Sequence, residues 1–220
     1  MSSFVLKIIA CITMLMDHVG YAILGHTSWL NYWGRIAFPL FAFQLTQGYA
    51  HTKNIKKYFS RLFLFALISQ IPFAFFYTPL FHDFKLNIFF TLLLGLFSIF
   101  AYDKNKLAGF FTLIVTCCIA HFGQTDYGYF GVLVIFVFHL CKDHKLGLIF
   151  SFLLLDLIKY APAMFHSYSP TTFAFFLFTA ASLIPILFYN KKQGRKMKYF
   201  FYLFYPIHLA IIDLLMYLLP

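Results

Sequence analysis

The stretch HTKNIKKYFSRLFLFALISQIPFAFFYT (51–78) sets four cations within eleven residues, then runs for seventeen residues without a charge. An uncharged apolar run of that size suits a helix in hydrocarbon, where roughly 20 residues make one crossing. The basic run before it suits the cytoplasmic boundary of a membrane, where Lys and Arg accumulate. Working outward, the same alternation recurs along the whole chain. Nine apolar segments are predicted, at 4–25, 33–51, 59–79, 87–102, 107–122, 128–141, 146–160, 172–189 and 199–219. Several are shorter than a full span, so tilt or local thinning is expected.

Composition agrees with that reading. Of 220 residues, 62% are hydrophobic and 11% charged, and Phe alone supplies 33. A soluble domain carries about a quarter charged residues, so a soluble globular enzyme is excluded. Disorder is excluded too, because it requires low hydrophobicity. Nine spans would consume about 180 residues, which leaves a single transmembrane domain over 1–220. The expected fold class is an all-α helical bundle in the membrane.

The loops set the expected orientation. The connections 51–61, 103–106, 142–145 and 190–198 are basic, and with Lys7 they hold 14 of the 17 Lys and Arg residues. The alternate loops 26–35, 80–87, 123–127 and 161–171 contain Arg35 and Lys85 between them. The positive-inside rule then puts the N-terminus in the cytoplasm and the C-terminus outside. The net charge of +10 follows this loop pattern, which is no nucleic-acid stripe. The four cysteines show no CxxC spacing, and Cys117 with His121 gives two ligands at most, so no metal site is expected. Asp17 and His18, with no small-residue cleavage site nearby, argue against a signal peptide at the start.

Ionisable groups are costly in hydrocarbon and are usually paired or functional. Counted at about 1.5 Å per residue from the last cytoplasmic cation, His18, His208, Gln44, Gln70 and Asp156 all come out about 13–17 Å deep. That places polar groups from five segments near one mid-membrane plane. A lone His or Gln in a bundle more often joins helices than catalyses anything. The Asp17–His18 pair and the second histidine suggest a site. Successive helical residues point about 100° apart, so His18 is expected to face a cavity while Asp17 pairs across helices with Arg35. Asp156 and Lys159, three apart, are expected to form an ion pair. Pro206 precedes His208 in YPIH (205–208) and breaks the helical ladder beside Tyr205. A neutral imidazole suits His18 to general-base work. No GxSxG, HExxH, Walker or GxGxxG motif is present. The basic cytoplasmic loops suit a phosphate-bearing donor and serve equally well as plain orientation signals.

KIIACITMLMDHVG (7–20), GRIAFPLFAFQLTQGYAHTKNIKKYFSRL (34–62), ISQIPFAFF (68–76), NIFFTLLLG (87–95) and FYPIHLAII (204–212) closely resemble, in order, the TraX family. This polytopic acetylase group is named for N-terminal acetylation of conjugative F pilin and is distantly similar to the transmembrane acyltransferases. The resemblance implies a bacterial inner-membrane, multi-pass acetyltransferase. It implies acetyl-CoA as donor substrate, no metal, and no nucleic-acid partner. The implied acceptor is a pilin N-terminal amine, or a surface glycan or lipid, reached at the membrane or its outer side. By motif, His18 becomes the base and Asp17 its neighbour. Arg35, Asn87, Tyr205 and His208 complete the catalytic set, with Arg35, Asn87 or Tyr205 polarising the thioester carbonyl. Tyr49, Lys53, Lys57 and Arg61 are implied at the mouth that takes the coenzyme phosphates. Two other readings compete: a small proton-coupled transporter or flippase using the Asp/His layer, and a non-catalytic subunit. The lack of an internal repeat counts against the transporter.

Overall fold

The computed structural model describes residues 1–24, 28–167 and 169–218, all within one helical bundle. Residue 25 of the first expected segment, residues 26, 27 and 168 of two loops, and residue 219 lie outside the described residues. Eleven α-helices are present among the described residues: α1 (Ser3–Val19), α2 (Trp29–Gly34), α3 (Ala37–His51), α4 (Ile55–Phe81), α5 (Ile88–Lys104), α6 (Lys106–Phe122), α7 (Gly128–Leu140), α8 (Lys145–Ser167), α9 (Pro170–Ala181), α10 (Leu183–Leu187) and α11 (Lys198–Leu218). Each of the nine apolar segments is helical. The additional elements are α2, most of which lies in the expected loop 26–35, α10, set off by a break at Ser182, and a π-helical turn at Gly20–Leu24 that continues α1.

Local chemistry starts several of these helices. Asn54, Asn87 and Asn105 cap α4, α5 and α6, each side-chain oxygen accepting a backbone N–H of the first turn. Ser2 caps α1 in the same way. α4 runs for 27 residues through Pro72 and Pro79 and stops at His82, whose φ of 53° is left-handed.

Five helical stretches are long and apolar enough to cross a membrane: Ser3–Leu24, Ile55–Phe81, Lys145–His166, Pro170–Leu187 and Tyr199–Leu218. Others are short for a physical reason. α7 has 13 residues, about 20 Å of rise against a core of about 30 Å. It is apolar on every side and sits in the middle, with Val132, Val134, Ile135 and Phe138 fully buried. Around it stand α3, α5, α6 and α8, while α11 lies along α4 and α1, and α9 along α8. The outward faces are greasy: Leu107 and Phe122 of α6 are 81% and 82% exposed. A soluble protein does not leave such patches uncovered; lipid covers them at no cost. This is a helical, multi-span membrane protein.

The start of α1 is tied to the loop before α11. Ser3 and Phe4 donate backbone N–H groups to Lys192 and Gln193, and Asn190 donates to Met1. This seam brings the cations of loop 190–198 over the end of α1.

Candidate functional site

α1 presents Asp17 and His18 to different neighbours, as their 100° offset requires. Arg35, at the break between α2 and α3, donates through Nη2 to both Asp17 oxygens at 2.5 and 2.6 Å. Asn31 of α2 donates to Asp17 Oδ1 at 3.2 Å and to its backbone carbonyl at 2.9 Å. The Arg35 guanidinium also lies 4.9 Å from the Phe175 ring of α9. Gly34 makes this approach possible, because a Cβ there would meet Asp17 Cβ at 2.3 Å. The expected Asp17–Arg35 pair therefore forms, and both of its side chains are mostly shielded.

His18 points into a wedge between α4 and α11. Its Nδ1 lies 2.7 Å from His208 Nε2, with the two rings nearly parallel, 10° apart in tilt, and their centroids 5.0 Å apart. Phe76 closes one side at 5.0 Å and Tyr205 stands at 6.2 Å. His208 Nδ1 bonds in turn to the Phe204 carbonyl at 2.6 Å. α11 carries Pro206 without interruption.

A cavity of about 690 Å³ opens at the basic end and reaches inward to Met14, one turn from His18, and to Tyr205. Such a volume suits a sizeable organic ligand. Its rim carries Lys53, Lys57 and Arg61 from the α3–α4 hairpin, facing Arg195 and Lys196 from the 190–198 loop. Lys7 lines it further in, together with Gln44 and the tyrosines 58, 199 and 202. Two donors in its wall, Gln44 Nε2 and Arg61 Nε, are buried without a hydrogen-bond partner. At the inner end the Tyr205 hydroxyl, 3% exposed as a residue, lies beside the Ile88 backbone N–H and makes no well-formed hydrogen bond.

Several expectations are redistributed. Lys53, Lys57 and Arg61 line the cavity; Tyr49 does not, packing instead against His139, 5.6 Å away. His139 pairs with Asp103 at 2.8 Å. Asn87 is fully buried and fully used: its Nδ2 donates to Ala66 O and Gln70 Oε1, and its Oδ1 caps α5. The single polar layer splits up. Gln44 accepts from Ser3, at the very start of α1, at 2.5 Å. Gln70 donates to the carbonyl of Lys85, in the loop at the other end of the bundle. The depth counts share no common zero: the count for His18 starts at Lys7 and that for Gln70 at Arg61, and both cations line the cavity. The Asp156–Lys159 ion pair is absent: both Asp156 oxygens are buried without a hydrogen-bond partner. The Lys159 ammonium sits instead over the rings of Phe130, Tyr160 and Tyr127, at 4.3, 4.9 and 5.0 Å. In the loop 123–127, burial pushes the Asp126 carboxyl up, opposed by the charges of Lys85 and Arg35.

Sequence reasoning passed over Lys7, Arg195 and Lys196 as cavity residues. The nine-residue run NKKQGRKMK (190–198) is dense enough in charge to have flagged Arg195 and Lys196. No group of three or more potential metal ligands occurs among the described residues.

A cationic cavity stops one helical turn short of a histidine pair, inside a membrane-spanning helical bundle. Residues 2–216 match the family model described as TraX protein, and the chain belongs to the TraX family. It is similar to the "Probable fimbrial assembly protein FimC, serogroup H1" of Dichelobacter nodosus, with 31% identity covering 96% of this chain and 94% of that protein. No solved structure matches it.

Proposed function

We propose that the protein is an acetyltransferase of the bacterial inner membrane that uses cytoplasmic acetyl-CoA. The observation that carries this reading is the cavity's polarity: cations from two walls at its mouth, tyrosines along it, and His18 one turn beyond its inner end. A coenzyme with phosphates at one end and a thioester at the other matches that sequence of surfaces. Lys53, Lys57, Arg61, Arg195 and Lys196 take the phosphates as charge-assisted partners, and Lys7 holds the deeper ones. Tyr49 acts behind the rim by bracing His139. The bundle crosses the membrane nine times with its basic end in the cytoplasm, as the loop charges support.

His18 is the base. It takes the proton from the acceptor nitrogen or oxygen as that atom bonds to the thioester carbonyl carbon, and returns it to the thiolate when the C–S bond breaks. Of the three groups able to polarise the carbonyl, Arg35 is committed to Asp17 and Asn87 to Gln70 and Ala66. Tyr205 has a hydroxyl to spare, and it lines the cavity. It therefore donates to the developing oxyanion. The Asp17–Arg35 pair fixes the angle of α1, and Asn87 fixes the start of α5. The acceptor is a pilin N-terminal amine or another envelope component. The kinship with a fimbrial assembly protein supports the pilin. An α-amine, with a pKa of about 7.7–8, is readily freed by a neutral-pH base.

Purified protein given labelled acetyl-CoA and host envelope extract tests this. Wild type should move label to an envelope component and His18→Ala should not, while eluting identically from size exclusion. Equal transfer by both would remove His18 from the mechanism.

A further inference from the structure

Proton positions on the histidine pair follow from its bonding. A carbonyl oxygen has no hydrogen to give, so in the 2.6 Å contact of His208 Nδ1 with Phe204 O the nitrogen carries the proton. A neutral imidazole has one N–H, which leaves His208 Nε2 with a lone pair. No carboxylate is hydrogen-bonded to either ring among the described residues; Asp17, the nearest in sequence, is taken by Arg35. An uncompensated cation in this buried wedge has nothing to offset its desolvation. The 2.7 Å contact is then His18 Nδ1–H donating to His208 Nε2. The remaining ring nitrogen, His18 Nε2, holds a lone pair and bonds to no protein group among the described residues.

We infer that His208 is a positioning residue that locks His18 into the Nδ1–H tautomer, so that His18 Nε2 is the basic atom. This rests on the acetyl-transfer reading for its consequence, though not for its geometry. The Phe204 carbonyl belongs to the same turn of α11, so one helical turn specifies the protonation pattern on a ring 190 residues away in sequence. When His18 gains the acceptor's proton at Nε2, its Nδ1–H bond to His208 becomes charge-assisted and strengthens. The pair so favours the transition state over the resting state. His208 neither touches the cavity nor needs to exchange a proton itself.

The substitution that separates this from a packing role is His208→Gln, whose side-chain oxygen accepts from His18 Nδ1–H without an imidazole. Its counterpart is His208→Leu, which fills the space and accepts nothing. Protein labelled with ¹⁵N-histidine is reconstituted in nanodiscs, and the His18 ring nitrogens are assigned by their loss in His18→Ala. The wild type and His208→Gln should show His18 protonated at Nδ1 and bare at Nε2, and His208→Leu should lose that pattern. Transfer from labelled acetyl-CoA should fall about 10²–10⁴-fold in kcat for His208→Leu, the usual worth of a positioned base. Its KM for acetyl-CoA should stay within about twofold, and His208→Gln should retain at least a tenth of wild-type kcat. A wild-type His18 protonated at Nε2 overturns the inference whatever the activity. So does a His208→Gln as inactive as His208→Leu. The expected tautomers in a wild type that transfers no acetyl group would uphold the inference and sink the acetyl-transfer reading alone.

Discussion

Gly34→Ala probes the ion pair that sets the angle of α1. The new Cβ would lie 2.3 Å from Asp17 Cβ and 2.4 Å from its Oδ1. Carbon atoms in contact sit about 3.5–4.0 Å apart, so α1 and α2 must separate by more than about 1 Å. The Arg35–Asp17 bonds, at 2.5 and 2.6 Å, then stretch to about 3.6 Å and cease to be hydrogen bonds. Overpacking costs about 1–3 kcal/mol. Breaking a buried pair costs about 3–5 kcal/mol, less here because both side chains keep some solvent contact, at 15% and 13% exposure. A combined loss of about 3–5 kcal/mol lowers the melting temperature by roughly 10 °C for a chain of this size. The assay is thermal unfolding in detergent, with Gly147→Ala as the control. A Cβ at Gly147 meets His144 Cβ at 3.6 Å and Cys141 Sγ at 3.7 Å, which is ordinary contact. Gly147→Ala should melt at or slightly above wild type. If Gly34→Ala melts with it, the argument that Gly34 admits the pair is refuted.

Two further outcomes follow from the cavity. Tyr205→Phe removes a buried hydroxyl that makes no well-formed hydrogen bond, so it should leave the melting temperature unchanged and reduce kcat about 10²-fold; unchanged turnover would return carbonyl polarisation to another group. Lys7→Ala and Arg195→Ala, on walls opposite the α3–α4 hairpin, should each raise the KM for acetyl-CoA about tenfold with kcat preserved, read from initial rates. Unchanged KM in both would confine phosphate binding to Lys53, Lys57 and Arg61.

The helices were legible because lipid demands a simple rule, uninterrupted apolar runs with cations at alternate ends. Asp17–Arg35 was legible too: one Arg stands away from the basic loops, and a buried Asp needs a partner. The His18–His208 pair was half legible, since both residues stood out while nothing in the sequence brings α1 against α11. Depth misled. Counting from Lys7 and Arg61 assumed that the last cation marks the surface, and a cavity lined by both breaks that assumption. Asp156 and Lys159 misled for a different reason. Spacing of three allows an ion pair, but three aromatic rings compete for the ammonium, and those rings come from α7 and its N-cap as well as from α8 itself.

The seam between residues 1–4 and 190–193 also imposes an order on biogenesis. Its two sides are about 190 residues apart, and translation at about 5–20 residues per second separates their emergence by about 10–40 s. Through that interval α1 can be inserted while its backbone donors at Ser3 and Phe4 wait for partners that do not yet exist. Loop 190–198 and α11 bring, in one late step, the second cationic wall, Tyr205 and the partner of His18. Chains that stall before α11 carry the first wall alone. The cavity's second cationic wall and the histidine pair are therefore completed together, at the end of synthesis.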